Sequence, residues 1–99
     1  MKVFISQPMN GRADEDIKAE RECITEQIKK YYPHESIEVI DSFFEEAPHD
    51  AKPLWFLGKS LELLSTADVD VFAQGWESAR GCAIEHECAV KYGIKTIEI

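Results

Sequence analysis

The sequence lacks several features that would define its class at once. None of its apolar runs approaches the roughly 20 residues that cross a bilayer, and no signal-peptide pattern follows Met1. Basic residues are scarce: 11 Lys and Arg stand against 19 Asp and Glu, so the formal net charge of -8 repels a phosphate backbone. We therefore expect a cytoplasmic protein that binds neither membranes nor nucleic acid.

Cysteine is also scarce, with Cys23, Cys82 and Cys88 as its only positions. Their number is odd and no C-x-x-C spacing occurs, so we expect reduced thiols packed as small hydrophobic side chains. Cys82 and His86 lie four residues apart, yet no second pair has the spacing of a structural zinc site. We expect no metal and no cofactor.

Strand and helix patterns alternate along the chain. Short apolar runs predict strands over residues 2–6, 37–41, 69–74 and 95–99. Helices are predicted over 14–31, from Pro53 onward and over 78–92. Their predicted buried stripes are Ile17, Ile24, Ile28 and Tyr31 in the first helix, and Leu54, Leu57, Leu61 and Leu64 in the second.

This alternation predicts one α/β domain over residues 1–99. Crossovers of this length favour right-handed βαβ units, hence a parallel sheet of about four strands with helices on both faces. The expected strand order is 2-1-3-4. In such sheets ligands bind beyond the carboxyl ends of the strands where the winding reverses, here between strands one and three.

Two loops border that gap, the first over residues 6–12 and the second over residues 74–80, and neither contains G-x-G-x-x-G, a Walker sequence or G-x-S-x-G. The first loop leads into a helix N-terminus, where Asn10, Gly11 and Arg12 would hold a phosphate or a sugar hydroxyl. The alternative is an ordinary βα turn. The candidate substrate-binding residues at this edge are Ser6, Gln7, Met9, Asn10, Gly11, Arg12, Asp41, Trp76, Ala79, Arg80 and Gly81.

Glu85 is the one charged residue on a helical stripe of mostly small and apolar side chains. The stripe follows spacings of four and three residues and contains Gly81, Glu85, Cys88, Ala89 and Tyr92. If it packs on the sheet, the carboxylate is partly desolvated, a cost that a function would explain. The alternative is that Glu85 lies at the edge of the stripe and reaches solvent.

The segment GWESARGCAIEHECAVKYG, from Gly75 to Gly93, follows a strand led by Ala67-Asp68. It resembles the nucleoside 2-deoxyribosyltransferase and deoxynucleoside 5′-monophosphate N-glycosidase group. The nearest resemblance is to a short branch in bacteria and their phages whose members begin with a strand followed by Ser-x-Pro-Met. The resemblance spans nearly the whole chain and implies a Rossmann-like, flavodoxin-like fold. It also implies that Glu85 is the nucleophile that attacks the anomeric carbon of deoxyribose.

Three positions depart from the catalytic pattern of that group. Phe4 stands where catalytic relatives carry a tyrosine, and Ser60 where they carry an aspartate. Ala79 replaces the serine or aspartate found six residues before the glutamate. Two hypotheses therefore stay open: an enzyme that cleaves or transfers the N-glycosidic bond of a nucleoside or nucleotide, and a binding module that has kept the pocket without the reaction.

Self-association is also expected, most simply as a homodimer or a higher homo-oligomer. A domain of this size covers its sheet poorly, and a long loop places Phe43 and Phe44 in a segment with little local cover. Relatives in the resembling group are oligomeric. A structural role through self-association alone is a third possibility.

Overall fold

A computed structural model describes every residue from Met1 to Ile99. The strands are β1 (Lys2–Ser6), β2 (Glu38–Val39), β3 (Val69–Phe72) and β4 (Lys95–Glu98). The helices are α1 (Asp14–Tyr31), α2 (Pro53–Leu64) and α3 (Arg80–Lys91), and a 3-10 turn over Trp76–Ser78 precedes α3. None of these helices combines the length and the apolarity that a membrane crossing requires.

All strand pairs in the sheet are parallel, and the strands lie in the order β2-β1-β3-β4. The predicted fold class and strand order are therefore confirmed. β1 and β3 form the centre of the sheet in a register that sets Ser6 opposite Phe72. Just beyond, the Ala73 N–H donates to the Ser6 carbonyl over 2.9 Å. The loops that follow β1 and β3 consequently leave the sheet at the same edge, side by side.

Two apolar clusters attach the helices, one on each face of the sheet. On one face, Ile5 of β1 belongs to a cluster with Ile28 of α1. On the other face, Phe4 belongs to a cluster with Leu64 of α2 and Ala89 of α3. Successive side chains of a strand point to opposite faces, so neighbouring residues of β1 face different helices. The candidate site lies on the face covered by α2 and α3.

Some element boundaries differ from the sequence-based predictions. β2 covers 38–39 instead of 37–41, since only these two residues pair with β1, and β4 ends at residue 98 instead of 99. β3 ends at Phe72 instead of residue 74, and α3 begins at Arg80 instead of residue 78. Gly75 between them has a φ of 87°, which glycine adopts without strain. This turn ends the strand and delays the start of the helix.

Of the predicted buried stripes, Ile17, Ile24 and Ile28 of α1 and Leu64 of α2 are buried, Leu57 and Leu61 are half-buried, and the prediction fails for three large side chains. Tyr31, Leu54 and Tyr92 are 60%, 77% and 82% exposed. Each lies at or just beyond a helix end, where a side chain can have the right direction and still project past the sheet. The cysteine prediction also fails in part: the thiols are free, but Cys23 is exposed whereas Cys82 is buried.

Candidate functional site

Three buried polar side chains meet on the sheet face beneath α3. Ser6 ends β1, Asp70 lies in β3 and Glu85 lies in α3, and they are 1%, 0% and 7% exposed. The Ser6 hydroxyl and the Asp70 carboxyl form a hydrogen bond, with 2.8 Å between Oγ and Oδ1. Among the acidic residues of the chain, Asp70 and Glu85 are the two that are buried. The site is therefore built around two carboxyl groups beside one hydroxyl.

Helix α3 places Glu85 over this hydroxyl. Its buried residues are Cys82, Glu85 and Ala89, and their spacing of three and four residues puts them on one helical face. Ala89 belongs to the apolar cluster that includes Phe4 of the sheet. The expectation that Glu85 is desolvated on a sheet-facing stripe is confirmed, and the alternative that it reaches solvent at the edge of the stripe is wrong.

Burial shifts the acidity of both carboxyl groups in the same direction. It raises the pKa of Glu85 to about 7, against the opposing effect of the Ser6 and Ser60 hydroxyls. It raises the pKa of Asp70 to about 8, where the Ser6 hydrogen bond lowers the value and the charge of Glu85 raises it. A carboxyl group that titrates near neutral pH suits a general acid, a general base or a nucleophile.

Two nearby groups show that this site contains few hydrogen-bond partners for buried polar atoms. The Oδ2 atom of Asp70 is buried and has no hydrogen-bond partner, which is costly in a protein interior. Burial, aided by the charge of Glu85, raises the pKa of Cys82 to about 12. The thiol is therefore neutral at physiological pH and unreactive as a nucleophile.

The first loop is fastened to α1 by a polar network. The Gln7 amide donates to Glu20 over 2.8 Å and accepts from Arg21 over 3.0 Å. Arg12 forms an ion pair with the same Glu20 at 2.8 Å and donates to the Pro8 carbonyl. Of the residues predicted to bind substrate, Gln7 and Arg12 are thus engaged within the protein, and Arg12 would meet an anion with its charge already paired.

The two loops are close enough to form one pocket edge. A Cβ atom placed on Gly75 would lie 3.8 Å from Cγ of Pro8, so the loops are in contact there. Asn10 and Gly11 are exposed beside this contact, and Met9 is half-buried. Gly11 has a φ of 77°, typical of a tight turn. The first and second loops therefore lie side by side and can border one binding site.

The second loop presents the start of α3. Ala79 is the N-cap residue and makes no side-chain capping bond, so the first backbone N–H groups of α3, including those of Arg80 and Gly81, have no intrahelical partner. Trp76 stacks on His86, with ring centroids 4.3 Å apart, and its indole N–H donates to Glu98 over 2.9 Å. Trp76 therefore already has a stacking partner within the chain.

Asp41 lies apart from this group. It follows the short β2 and is exposed, and its carboxylate accepts weakly from the Phe43 N–H over 3.4 Å. Together with Phe43, Phe44 and Trp55 it lines a separate cavity of about 350 Å³. The structure therefore brings Ser6 close to Glu85 and places Asp41 at a separate cavity that neither of them lines.

Sequence analysis missed the role of two residues. Asp70 is an acidic residue inside a central parallel strand, a position that is normally apolar, and this was the signal in the sequence that could have identified it. Ser60 was noted only as a departure from the resembling group, yet its hydroxyl is close enough to lower the pKa of Glu85.

No set of three or more His, Cys, Asp or Glu side chains is arranged to hold a metal ion. No protein-family model, curated protein or solved structure matches this chain.

Replacing Glu85 by glutamine should stabilise the protein at alkaline pH. Because burial raises the pKa of Glu85 from 4.5 to about 7, the folded protein retains a proton that the unfolded chain has released in this window, and stability falls as pH rises through it. Glutamine does not titrate, so the variant avoids this loss of stability. We expect Glu85→Gln to exceed the wild type by about 1–3 kcal/mol at pH 8.5 and to match it near pH 4, measured by urea unfolding.

The matched control is Glu87→Gln on the same helix. Glu87 is exposed and pairs with Lys91 over 2.9 Å on the surface, where an ion pair contributes little. Its replacement should leave the unfolding free energy almost unchanged at both pH values. Loss of stability at both pH values in Glu85→Gln would mean that the carboxylate is structural.

Proposed function

We propose that this protein is a cytoplasmic enzyme that cleaves or transfers the N-glycosidic bond of a nucleoside or nucleotide, with Glu85 as the nucleophile. The observation that carries the proposal is the setting of Glu85, a buried carboxylate with a pKa raised to about 7 at the carboxyl edge of a parallel sheet. Such edges are where α/β sheets bind ligands. The resemblance of residues 75–93 to deoxyribosyl-transferring enzymes selects this reaction among those open to a carboxylate.

The reaction would proceed in two displacements at the anomeric carbon. An oxygen of ionised Glu85 forms a bond to that carbon while the bond to the base nitrogen breaks, and the electron pair leaves with the base, which takes up a proton. The resulting glycosyl ester is then attacked by water or by a nitrogen of a second base, and the Glu85 carboxylate is released. Double displacement of this kind retains the anomeric configuration, as in glycosidases with a carboxylate nucleophile.

The contacting loops suggest how the substrate would be oriented. The uncapped N-terminus of α3 offers backbone N–H groups to a phosphate or a sugar oxygen, and exposed Arg80 adds a positive charge beside it. Asn10 and Gly11 would contact the sugar from the opposite loop. Ser6 and Ser60, whose hydroxyls lower the pKa of Glu85, would hold the nucleophile in its ionised form.

A non-catalytic nucleotide-binding module is the second candidate, and Phe4 favours it. Phe4 is 1% exposed and belongs to the apolar cluster next to the site. It donates no hydrogen bond where catalytic members of the resembling group have a tyrosine. A domain of this kind would keep the loops and the pocket and would sense or sequester its ligand.

The two candidates differ in base release. We expect the wild type to release free base from at least one member of a panel of nucleosides and deoxynucleoside monophosphates, detected by chromatography. Glu85→Gln keeps the size of the side chain but is a far poorer nucleophile, so its rate should fall by at least about 100-fold, while Glu87→Gln should keep the wild-type rate. Ligand-induced thermal stabilisation without base release in any of the three proteins would favour the binding module.

We further propose that the chain forms a homodimer through an aromatic patch made of Phe43, Phe44, Leu54, Trp55 and Phe56. The rings of Phe44 and Trp55 lie 5.9 Å apart and those of Trp55 and Phe56 5.1 Å apart. Leu54 is 77% exposed, and Phe56 is 39% exposed. Phe43, Phe44 and Trp55 are half-buried, and an apolar patch that remains partly exposed on so small a domain is typical of an interaction surface.

Light scattering at micromolar concentration should give about twice the 11.3 kDa mass of one chain. Leu54→Lys places a charge in the patch and should reduce the mass toward that of a single chain. Tyr92→Lys, at an equally exposed position outside the patch, should leave the dimer intact. A wild-type mass of one chain would refute the proposal.

A further inference from the structure

Asp70 is a buried acid that the proposed mechanism does not use. It is fully buried in the central strand β3, and of its two carboxyl oxygens one meets the Ser6 hydroxyl while the other has no partner. A buried carboxylate with one hydrogen bond and no cation is among the least stable arrangements in a protein interior. Some feature of the site has to relieve it.

No positive charge compensates the pair formed by Asp70 and Glu85. None of the ion pairs of the protein includes either residue. Around the pair, α3 contributes the neutral thiol of Cys82 and His86, which stacks on Trp76. From α1, Glu20 is close enough to affect Cys82, but its charge is paired with Arg12 over 2.8 Å, and α2 contributes only the uncharged Ser60. Two like charges in such surroundings oppose each other, so one acid stays protonated.

Burial decides which of the two acids keeps its proton. Asp70 is 0% exposed and has no contact with solvent, whereas Glu85 is 7% exposed. The charged form costs more in the drier position. The charge of the pair therefore belongs on Glu85.

The hydroxyl of Ser6 lies within reach of both acids: Oγ is 2.8 Å from Oδ1 of Asp70, and the hydroxyl is close enough to the Glu85 carboxyl to lower its pKa. If Asp70 were ionised, Ser6 would donate its hydroxyl proton to Asp70 and could not donate it to Glu85. If Asp70 is neutral, its own proton can be donated to Oγ of Ser6, and the Ser6 proton becomes available to Glu85. The separation of 2.8 Å between Oγ and Oδ1 fits a hydrogen bond in either direction.

We infer that Asp70 is a positioning residue that, in its neutral form, donates a hydrogen bond to Ser6, so that Ser6 donates to Glu85 and the negative charge of the pair rests on Glu85. This hydrogen-bond chain exists without any substrate, and only its consequence for catalysis rests on the proposed function. The order of acidity agrees with the geometry, since burial raises the pKa of Asp70 to about 8 and that of Glu85 to about 7.

Carboxyl carbon-13 NMR titration of the wild type tests the inference first. The signals of Asp70 and Glu85 are assigned in the wild type by through-bond correlation to their own backbone resonances, and their absence from Asp70→Asn and Glu85→Gln is a check. We expect the Asp70 carboxyl to remain mostly protonated at pH 7 and the lower of the two titration steps to come mainly from Glu85. An Asp70 signal at the position of an ionised carboxylate at pH 7 would overturn the inference, even if every variant failed to fold.

Two substitutions then test the direction of the hydrogen bonds. Asp70→Asn keeps a neutral donor next to Ser6, so the Glu85 titration should move by less than roughly half a pH unit. Ser6→Ala removes the donor to Glu85 and should move that titration upward by roughly half a unit or more. A downward move of a full unit or more in Asp70→Asn would mean that Asp70 carries a charge in the wild type, contrary to the inference.

An activity measurement separates this inference from the proposed function. If base is released, kcat/KM should increase with pH as Glu85 ionises. In Ser6→Ala this rising part of the pH profile should shift to higher pH. A structural effect alone would lower the rate at all pH values without moving this part of the profile. If no base is released, the NMR results are unaffected, so failure of the reaction and failure of the hydrogen-bond chain are told apart.

Discussion

Asp70 and Glu85 lie close together with the Ser6 hydroxyl near both, and neither acid forms an ion pair. This lack of compensating charge determines the chemistry of the whole carboxyl edge of the sheet. Because water is largely excluded, the carboxyl groups retain protons that exposed acids lose, and one of them is left to titrate close to neutral pH. A fold selected for stability alone would place apolar residues at both positions, so a functional reason for the pair is the simpler explanation.

A few local features of the fold position the residues of this site. The register of β1 and β3 sets their ends side by side, and the strand alternation turns Ser6 and Asp70 toward the same helices. Gly75 and the 3-10 turn then start α3 in the position where Glu85 lies close enough to the Ser6 hydroxyl for the hydroxyl to lower its pKa. The same turn leaves the first N–H groups of α3 uncapped at the pocket edge. The proposed nucleophile and the proposed anion-binding edge therefore both come from one short segment, residues 75–85.

Sequence patterns predicted what depends on local periodicity and missed what depends on long-range contact. The alternation of strand and helix patterns predicted the sheet order through the handedness of βαβ crossovers, and helical spacing predicted the inward direction of Glu85. The bond between Ser6 and Asp70 joins residues 64 positions apart, and no local pattern pairs them. The engagement of Arg12 by Glu20 depends likewise on how the first loop folds back on α1. Leu54 shows the remaining limit, since periodicity gives the direction of a side chain but not the extent of the surface that covers it.

The central claim, that Glu85 forms a covalent bond to the sugar, is tested most directly by intact-protein mass spectrometry of samples quenched with acid during turnover. The account predicts a fraction of chains heavier by one sugar, or sugar phosphate for a nucleotide substrate, with the added group mapped to the peptide that contains Glu85. Glu85→Gln should carry no such group under the same conditions. Base release without any adduct on the protein, or an adduct on a different residue, would contradict the account.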